Sequence, residues 1–198
     1  MPSLPSLSEK CGENFCYKDF VECGETFLAL RPQNFPKETE TYKALRELAQ
    51  VILDPVWEEF SDIELTYGLS CRDLYQHINA RISPALDQHA SYELNARGKK
   101  ICSRGGAAVD FYCPGISSLQ IAQWIVKFCQ FDRLYFYGTD RPIHVSIGPD
   151  QSRNAILMRR SDKLNRRIPR KVSLEDFIAL KAEDDLVMSC ATTKGRCS

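Results

Sequence analysis

The sequence lacks any run of apolar residues long enough to cross a membrane, which would take roughly 20 consecutive residues. The stretch Met1 to Lys10 (MPSLPSLSEK) holds two prolines and no apolar segment that could form the core of a signal peptide. We therefore expect a cytoplasmic protein that makes no contact with a membrane.

An excess of charge of either sign is also missing. Lys and Arg together number 26, as do Asp and Glu, so the formal net charge is zero. This balance argues against a chain that binds polyanions over its whole surface, although it leaves room for a local patch.

The nine cysteines do not form a disulfide framework, because their number is odd and their spacing is irregular. We expect reduced thiols that pack as small apolar side chains. A metal knuckle at Cys11, Cys16 and Cys23 would need a second closely spaced Cys or His pair at zinc-finger spacing, and none follows.

What is present indicates one globular domain, since the 198 residues are 43% hydrophobic and 26% charged. We predict a flexible N-terminus over 1–13, a domain over 14–150, and a segment over 151–198 with a basic stretch, a C-terminal helix and a frayed tail. Hydrophobic periodicity and turn signals predict the following elements: helices over 38–60 (kinked or divided after Asp54 by Pro55), 71–82, 117–130 and 173–181, and strands over 63–67, 107–113, 133–137, 143–147 and, at an edge, 155–158. This order predicts an α+β fold, a small and mainly antiparallel sheet with helices packed on one face.

Asp110 and His144 are the chemically informative residues of these strands. Alternation places Ile143, Val145 and Ile147 on one face of their strand and His144 on the other. Asp110 stands in the middle of its strand, where a carboxylate needs partners. Backbone donors or an arginine would satisfy it, and so would a metal ion, because a carboxylate and an imidazole together suit zinc.

Several segments resemble the zinc D-Ala-D-Ala carboxypeptidase and hedgehog-type metallopeptidase superfamily. The resemblance extends over about 15–148. It rests on Gly106-Ala107-Ala108-Val109-Asp110, on Phe131-Asp132-Arg133-Leu134 leading to Ile143-His144-Val145-Ser146, on Asn34-Phe35-Pro36, on Ile52-Leu53-Asp54-Pro55-Val56, and on Glu64-Leu65-Thr66-Tyr67-Gly68.

The resemblance implies a D,D-peptidase/hedgehog-like fold with a catalytic zinc held by two histidines and one aspartate. Asp110 and His144 match two of these ligands, but Ser103 stands where the first histidine is expected. Either His89, in the pair Gln88-His89, is that ligand, displaced upstream by an insertion over about 91–104, or the ligand is lost. Cys102 is a further stand-in.

The resemblance also implies an acidic general base three residues before the last histidine, where this chain has Arg141. We predict Asp140 in this role if the turn bulges by one residue, with Glu93 as the alternative. The implied activity is the zinc-dependent hydrolysis of an amide bond in a peptide or peptidoglycan-like substrate. The alternative is a binding or interaction module that kept the peptidase fold without turnover.

A basic segment follows the predicted domain. Between Arg153 and Lys171 there are eight basic residues and one acidic residue, a formal charge of +7, whereas residues 1–152 carry −5 and the remainder −2. The segment either pairs with the acidic body or contacts a protein or a phosphate-bearing partner. It has no aromatic residue on which single-stranded bases would stack. The predicted contact residues are Arg159, Arg160, Arg166 and Arg167.

Overall fold

A computed structural model describes residues 3–78, 83–161, 164 and 166–182. Its centre is a six-stranded sheet with the order β1-β2-β4-β3-β5-β6. Neighbouring strands are antiparallel except β3 and β5, which run parallel. The strands are β1 (Glu64–Tyr67), β2 (Ala107–Tyr112), β3 (Arg133–Phe136), β4 (Ile143–Ile147), β5 (Asn154–Ser161) and β6 (Arg166–Val172). The predicted α+β class with a mainly antiparallel sheet is confirmed.

Helices precede the sheet and connect its strands. They are α1 (Tyr17–Val21), α2 (Glu25–Leu30), α3 (Thr39–Leu48), α4 (Asp54–Phe60), α5 (Arg72–His77), α6 (Ser118–Phe128) and α7 (Leu174–Ile178), with short 3₁₀ turns at Pro84–Leu86 and Gln88–Ala90. Within the described part of the chain, none of these helices has the length and apolarity that crossing a bilayer requires. The tail predicted to be frayed lies mostly beyond residue 182, outside the described residues.

The long predicted helix over 38–60 does not break at Pro55. It changes its winding one turn earlier, because a π-helical turn over Ala49–Leu53 joins α3 to α4. Proline has no N–H to offer the carbonyl four residues before it, and its ring crowds that carbonyl. A wider turn accommodates both effects.

The hydrophobic core lies on one face of the sheet. Val109 and Phe111 of β2, Leu134 of β3 and Val145 and Ile147 of β4 alternate onto this face, where they pack with the apolar sides of α3 and α6. Alternation along each strand then sends the residues between them to the opposite face.

The opposite face carries a row of residues that lie side by side across the strands. Asp110 pairs with His144, His144 with Tyr135, Tyr135 with Ile156, and Ile156 with Lys171. Directly paired residues point to the same face. This cross-sheet row therefore places both predicted strand ligands next to each other.

The outer end of the sheet differs from its prediction. The segment predicted as an edge strand forms β5, which is internal, and the edge is β6. β3 pairs with β5 only as far as Leu157, whereas β5 and β6 stay paired until Ser161 and Arg166 meet. We call Met158–Ser161 with Arg166–Pro169 the distal ribbon. Both strands come from the segment predicted to follow the domain, and the predicted domain boundaries stay a prediction.

Candidate metal centre

Two strands supply the first two residues of the site. Asp110 of β2 and His144 of β4 are cross-strand partners, and His144 Nδ1 lies 2.8 Å from Asp110 Oδ1. Side chains of paired residues in antiparallel strands stand close together on one face. The sheet register therefore accounts for this contact without any loop rearrangement.

The third residue comes from the 3₁₀ turn over Gln88–Ala90. His89 Nε2 lies 3.1 Å from His144 Nδ1 and 3.2 Å from Asp110 Oδ1. One ligand atom from each of His89, Asp110 and His144 falls within 4.8 Å of the other two. The structure thus brings together the three predicted ligands, and this group could hold a metal ion.

The backbone fixes the tautomer of His89. Its Nδ1 lies 2.8 Å from the carbonyl oxygen of Gly68, which only accepts hydrogen bonds, so Nδ1 carries the proton. In the neutral ring, Nε2 then offers its lone pair to the cluster. Donation from the second ring nitrogen to a carbonyl is the usual support of a metal-binding histidine.

The residue before His89 fastens the turn to the sheet. The Gln88 side chain is buried, and its amide bridges a loop to the ends of two strands. Its Nε2 lies 3.0 Å each from the oxygens Gly105 O, Asp132 Oδ2 and Ile147 O, and its Oε1 accepts a hydrogen bond of 2.9 Å from Ser146 Oγ. These contacts hold the neighbouring ligand in place.

The segment over about 91–104, predicted to be an insertion, forms a loop whose two ends lie close together. The prediction of His89 as a ligand requires such a loop. At its start Ser91 Oγ donates to the carbonyl of Gly106, 2.6 Å away. Gly106 has φ +82°, and a Cβ there would collide with the carbonyl oxygen of Ile147. Only glycine lets the loop approach β4 this closely.

Neither Ser103, which stands where the first histidine is expected, nor the stand-in Cys102 joins the cluster. Ser103 is exposed, and its hydroxyl donates to the carbonyl of Ala85 at 2.8 Å. Cys102 is buried, and the metal-binding group among the described residues does not include it.

The charges of the three residues support one another. Burial alone would raise the pKa of Asp110, but the neighbouring His89 and His144 outweigh it and hold that pKa below its ordinary value. Burial opposes the charged form of His89, yet the Asp110 carboxylate raises the pKa of His89. The pocket therefore favours an anion at Asp110 and positive charge close to it, which is the charge pattern that a bound cation completes.

The rings of two tyrosines lie beside the cluster, and the sequence patterns did not identify them as neighbours of the site. The rings of Tyr67 and His89 have centroids 4.1 Å apart, and those of Tyr135 and His144 are 5.1 Å apart. Burial, with a further contribution from the charge of Asp110, raises the pKa of Tyr67 and of Tyr137. Their phenols therefore stay protonated near neutral pH. The alternation over Arg133–Tyr137 indicates the face of the strand on which Tyr135 lies. In the structure this is the face that carries His144.

The two predicted general bases occupy different positions. Asp140 is exposed in the turn between β3 and β4, and no ion pair of the described residues joins it to the cluster. Its role stays a prediction. Glu93 is buried at the start of α3, where Oε1 accepts hydrogen bonds from Lys37 N at 3.0 Å and Thr41 Oγ1 at 2.8 Å. These bonds give Glu93 a capping role beside α3, and its role as the alternative base stays a prediction.

The thiols of the described residues take no part in the cluster. All cysteines in the described part of the chain are free, and most are buried. Burial raises the pKa of Cys11 and of Cys23 to about 12, so both stay protonated at neutral pH. This agrees with the expected reduced, packing cysteines.

The four arginines predicted to contact a partner lie on the distal ribbon and are not among the three residues of the metal-binding group. Arg160 and Arg166 are exposed, and Arg159 and Arg167 are partly buried. Arg167 Nη1 donates to the carbonyls of Tyr137 and Met158, each 2.8 Å away, and so ties the ribbon to the end of β3.

Comparisons of the chain with protein-family models, with curated proteins and with solved structures find no match.

Proposed function

We propose that the protein is a zinc-dependent hydrolase that cleaves an amide bond, with His89, Asp110 and His144 as the metal ligands. The main support for this proposal is that the three ligand atoms lie within 4.8 Å of one another. Two paired strands and the turn held by the Gln88 side chain position these atoms. Two imidazoles and one carboxylate form a ligand set typical of catalytic zinc sites, which keep one position open.

The spacing of the donors fits such an ion. Ligands about 2.0–2.2 Å from a tetrahedral zinc lie roughly 3.3–3.6 Å from one another. The donor atoms here are 2.8, 3.1 and 3.2 Å apart, so a small outward movement would admit the ion. The side chain of Asp110 is 27% exposed, whereas those of His89 and His144 are 4% and 11% exposed. The open position would therefore lie on the side of Asp110.

A zinc ion bound here would polarise the scissile carbonyl and lower the pKa of a coordinated water. The protein's own groups would position the substrate and move protons. The phenol of Tyr67, whose ring lies against His89, is a candidate donor to a substrate carbonyl oxygen. Asp140, in the turn that leads into β4, is the proposed general base.

The proposed substrate is a peptide or a peptidoglycan-like peptide, and the proposed location is the cytoplasm. The support for this substrate is the resemblance to zinc D,D-peptidases. Two of its segments contain Asp110 and His144, which lie on β2 and β4 as adjacent cross-strand partners. His89, which the resemblance assigned only through a displaced loop, joins them.

Peptide hydrolysis by the zinc-loaded protein tests the activity. A library that includes peptides ending in D-Ala-D-Ala should show turnover that a chelator abolishes and added zinc restores. His144→Ala should lose turnover. His77→Ala is a matched control, because His77 lies on α5 outside the cluster, and it should keep turnover. Metal-loaded protein that cleaves no peptide would contradict the activity while leaving the metal site intact.

One observation favours the alternative of a binding module without turnover. Apart from the ligand Asp110, the metal-binding group among the described residues contains no carboxylate, and Asp140 is exposed. Asp140→Ala distinguishes the two. A general base contributes about 10²–10⁴-fold to the rate, so a loss of this size supports the hydrolase with Asp140 as base. If wild type and Asp140→Ala both lack turnover but bind zinc, the module is the better description.

A further inference from the structure

A groove lies beside the edge of the sheet that β1 forms. β1 is the first strand in the sheet order, so β2 pairs with one side of it and no described strand pairs with the other. Ile63, Glu64 and Leu65 line the groove together with residues of α1 and with Trp57 of α4. We call it the β1 groove. Its volume of about 520 Å³ lies within the usual range of ligand sites.

The backbone of β1 has hydrogen-bonding groups to offer beside this groove. An edge strand presents unpaired N–H and C=O groups on its outer side. Apart from the pairing with β2, no backbone hydrogen bond of the described residues involves 63–65. Further along, the edge is covered. A Cβ on Gly24 would lie 2.7 Å from the carbonyl oxygen of Thr66, and Leu69 N donates to the carbonyl of Phe20 at 2.7 Å. Within the described structure, the open part of the edge is therefore 63–65.

The side chains alternate in character along this open edge. Ile63 and Leu65 are partly buried and pack against the core, whereas Glu64 between them is exposed. The rings of Phe15 and Trp57, in edge-to-face contact with centroids 5.8 Å apart, add apolar surface to the lining. A strand paired with this edge would therefore place every second side chain on apolar surface and the one between them opposite Glu64.

The charged lining of the groove is mostly acidic. It consists of three carboxylates and one ammonium group, those of Asp19, Glu22, Glu64 and Lys18. Glu22 is already paired, because its Oε2 lies 3.7 Å from Lys18 Nζ and 3.9 Å from Arg31 Nη1. Asp19 and Glu64 each accept a hydrogen bond from a neutral group, but no ion pair of the described residues includes either of them. The groove therefore favours a cationic side chain and disfavours a polyanion such as nucleic acid.

We propose that the β1 groove binds an extended segment of a partner protein, which adds to the sheet edge at 63–65 and places a lysine or arginine opposite Glu64, between two apolar residues. In such strand addition the main-chain hydrogen bonds give affinity, and the alternate side chains give specificity. Cross-strand pairs of opposite charge and pairs of apolar residues each stabilise the pairing. Valine and isoleucine suit the two apolar positions, because β-branched residues favour strands.

Binding of a synthetic peptide to the full-length protein tests this proposal. The probe is Thr-Val-Lys-Val-Thr with an acetylated N-terminus and an amidated C-terminus. Titration should change the tryptophan fluorescence saturably, with a Kd below about 1 mM. The chain has two tryptophans, of which Trp57 lines the groove. Trp57→Phe should therefore abolish the fluorescence change, and the matched variant Trp124→Phe should keep it.

Charge reversal tests the position of the basic residue. Glu64→Lys places like charges opposite each other and should weaken binding of the probe about 3–30-fold. The peptide Thr-Val-Glu-Val-Thr should show the reverse preference and bind Glu64→Lys more tightly than the wild type. Glu47→Lys, at an exposed position of α3 outside the groove, changes the net charge equally and should leave both affinities unchanged.

A modified backbone tests strand addition. One of any two successive N–H groups in a strand faces its neighbour. Methylation of two successive backbone nitrogens of the probe should therefore weaken binding at least about tenfold.

Four results would overturn the proposal. They are the absence of saturable binding, equal losses in Glu64→Lys and Glu47→Lys, equal affinity for the methylated probe, and equally tight binding of acetyl-lysine amide, which would make the groove a site for a small cation. His144→Ala should bind the probe as the wild type does, because none of the three metal-binding residues lines the groove. The peptide-binding proposal and the metal-dependent activity therefore fail or succeed separately.

Discussion

The inner strands β2 and β4 and the outer strands β5 and β6 belong to one sheet. In both pairs the side chains alternate between the two faces of the sheet, but different residue types are separated in this way. In β4 every residue is buried, and alternation sorts apolar residues to the core and His144 to the site. In β6 most residues are exposed, and alternation distributes cations over both faces. The comparison shows that the candidate metal site lies where strands have two neighbours, while the edge strand carries exposed charge.

The largest expected effect contrasts the two regions in stability. Phe111→Ala on β2 removes a fully buried aromatic side chain and should lower the free energy of unfolding by about 3–5 kcal/mol. Ile168→Ala on β6, where the side chain is 41% exposed, should change it by less than about 0.5 kcal/mol. Urea denaturation measures both. Equal losses would show that the outer strands are as tightly packed as the inner ones.

The next effect concerns the support of the metal ligand. Gln88→Ala removes the amide that ties the turn of His89 to Ser146 and Asp132, and it should weaken zinc affinity about 10–100-fold. Gln120→Ala, an exposed position on α6, is the control and should leave affinity unchanged. An unaltered affinity in Gln88→Ala would mean that His89 is positioned by its bond to Gly68 alone.

A pH effect follows from Asp132, which is buried beneath the turn. Burial alone would raise its pKa, but hydrogen bonds from Ser152 and Gln88 outweigh this and lower the pKa. Because the pKa of Asp132 is lowered in the folded protein, its ionised carboxylate stabilises the fold at pH values above the ordinary pKa of 3.8. This stabilisation is lost as the pH falls through the lowered pKa. Asp132→Asn should therefore cost about 1–2 kcal/mol at pH 7 and progressively less below about pH 4. Urea denaturation of the wild type and of Asp132→Asn at pH 7 and below about pH 4 measures the difference in their stability. A difference that does not change with pH would contradict the lowered pKa of Asp132.

The smallest effect is expected at the edge. Replacing Arg159, Arg166 and Arg170 by glutamine should leave the free energy of unfolding within about 0.5 kcal/mol of wild type, because these side chains form no ion pair in the described structure. A loss above about 2 kcal/mol would indicate that these arginines stabilise the fold. The inner and outer strands would then differ less in their contribution to the free energy of unfolding.

The sequence predicted the parts of the site that local periodicity controls. Alternation located His144 on the polar face of β4, and the polar residue in a buried strand identified Asp110. His89 depended on a resemblance and on a loop returning over many residues, which no local pattern specifies. The tyrosines around the cluster were missed, because alternation gives the face of Tyr135 but not its proximity to His144 across the strands.

The outer strands show the limit of the same reasoning. β6 contains Pro169 and four cations, a composition that predicts a solvated arm and not a strand. Proline is tolerated at a sheet edge, where its missing donor has no partner strand to serve. Pairing with β5 therefore overrides local propensity, and that pairing is a long-range property which the sequence pattern did not reveal.

The metal content of the purified protein tests the central claim most directly. Protein supplied with zinc and then dialysed should carry about one zinc per chain, and His144→Ala should carry almost none while remaining folded. His77→Ala should retain the wild-type content. Folded wild-type protein that binds no zinc, or a His144→Ala variant that binds as much as the wild type, would contradict the claim that His89, Asp110 and His144 form a metal centre.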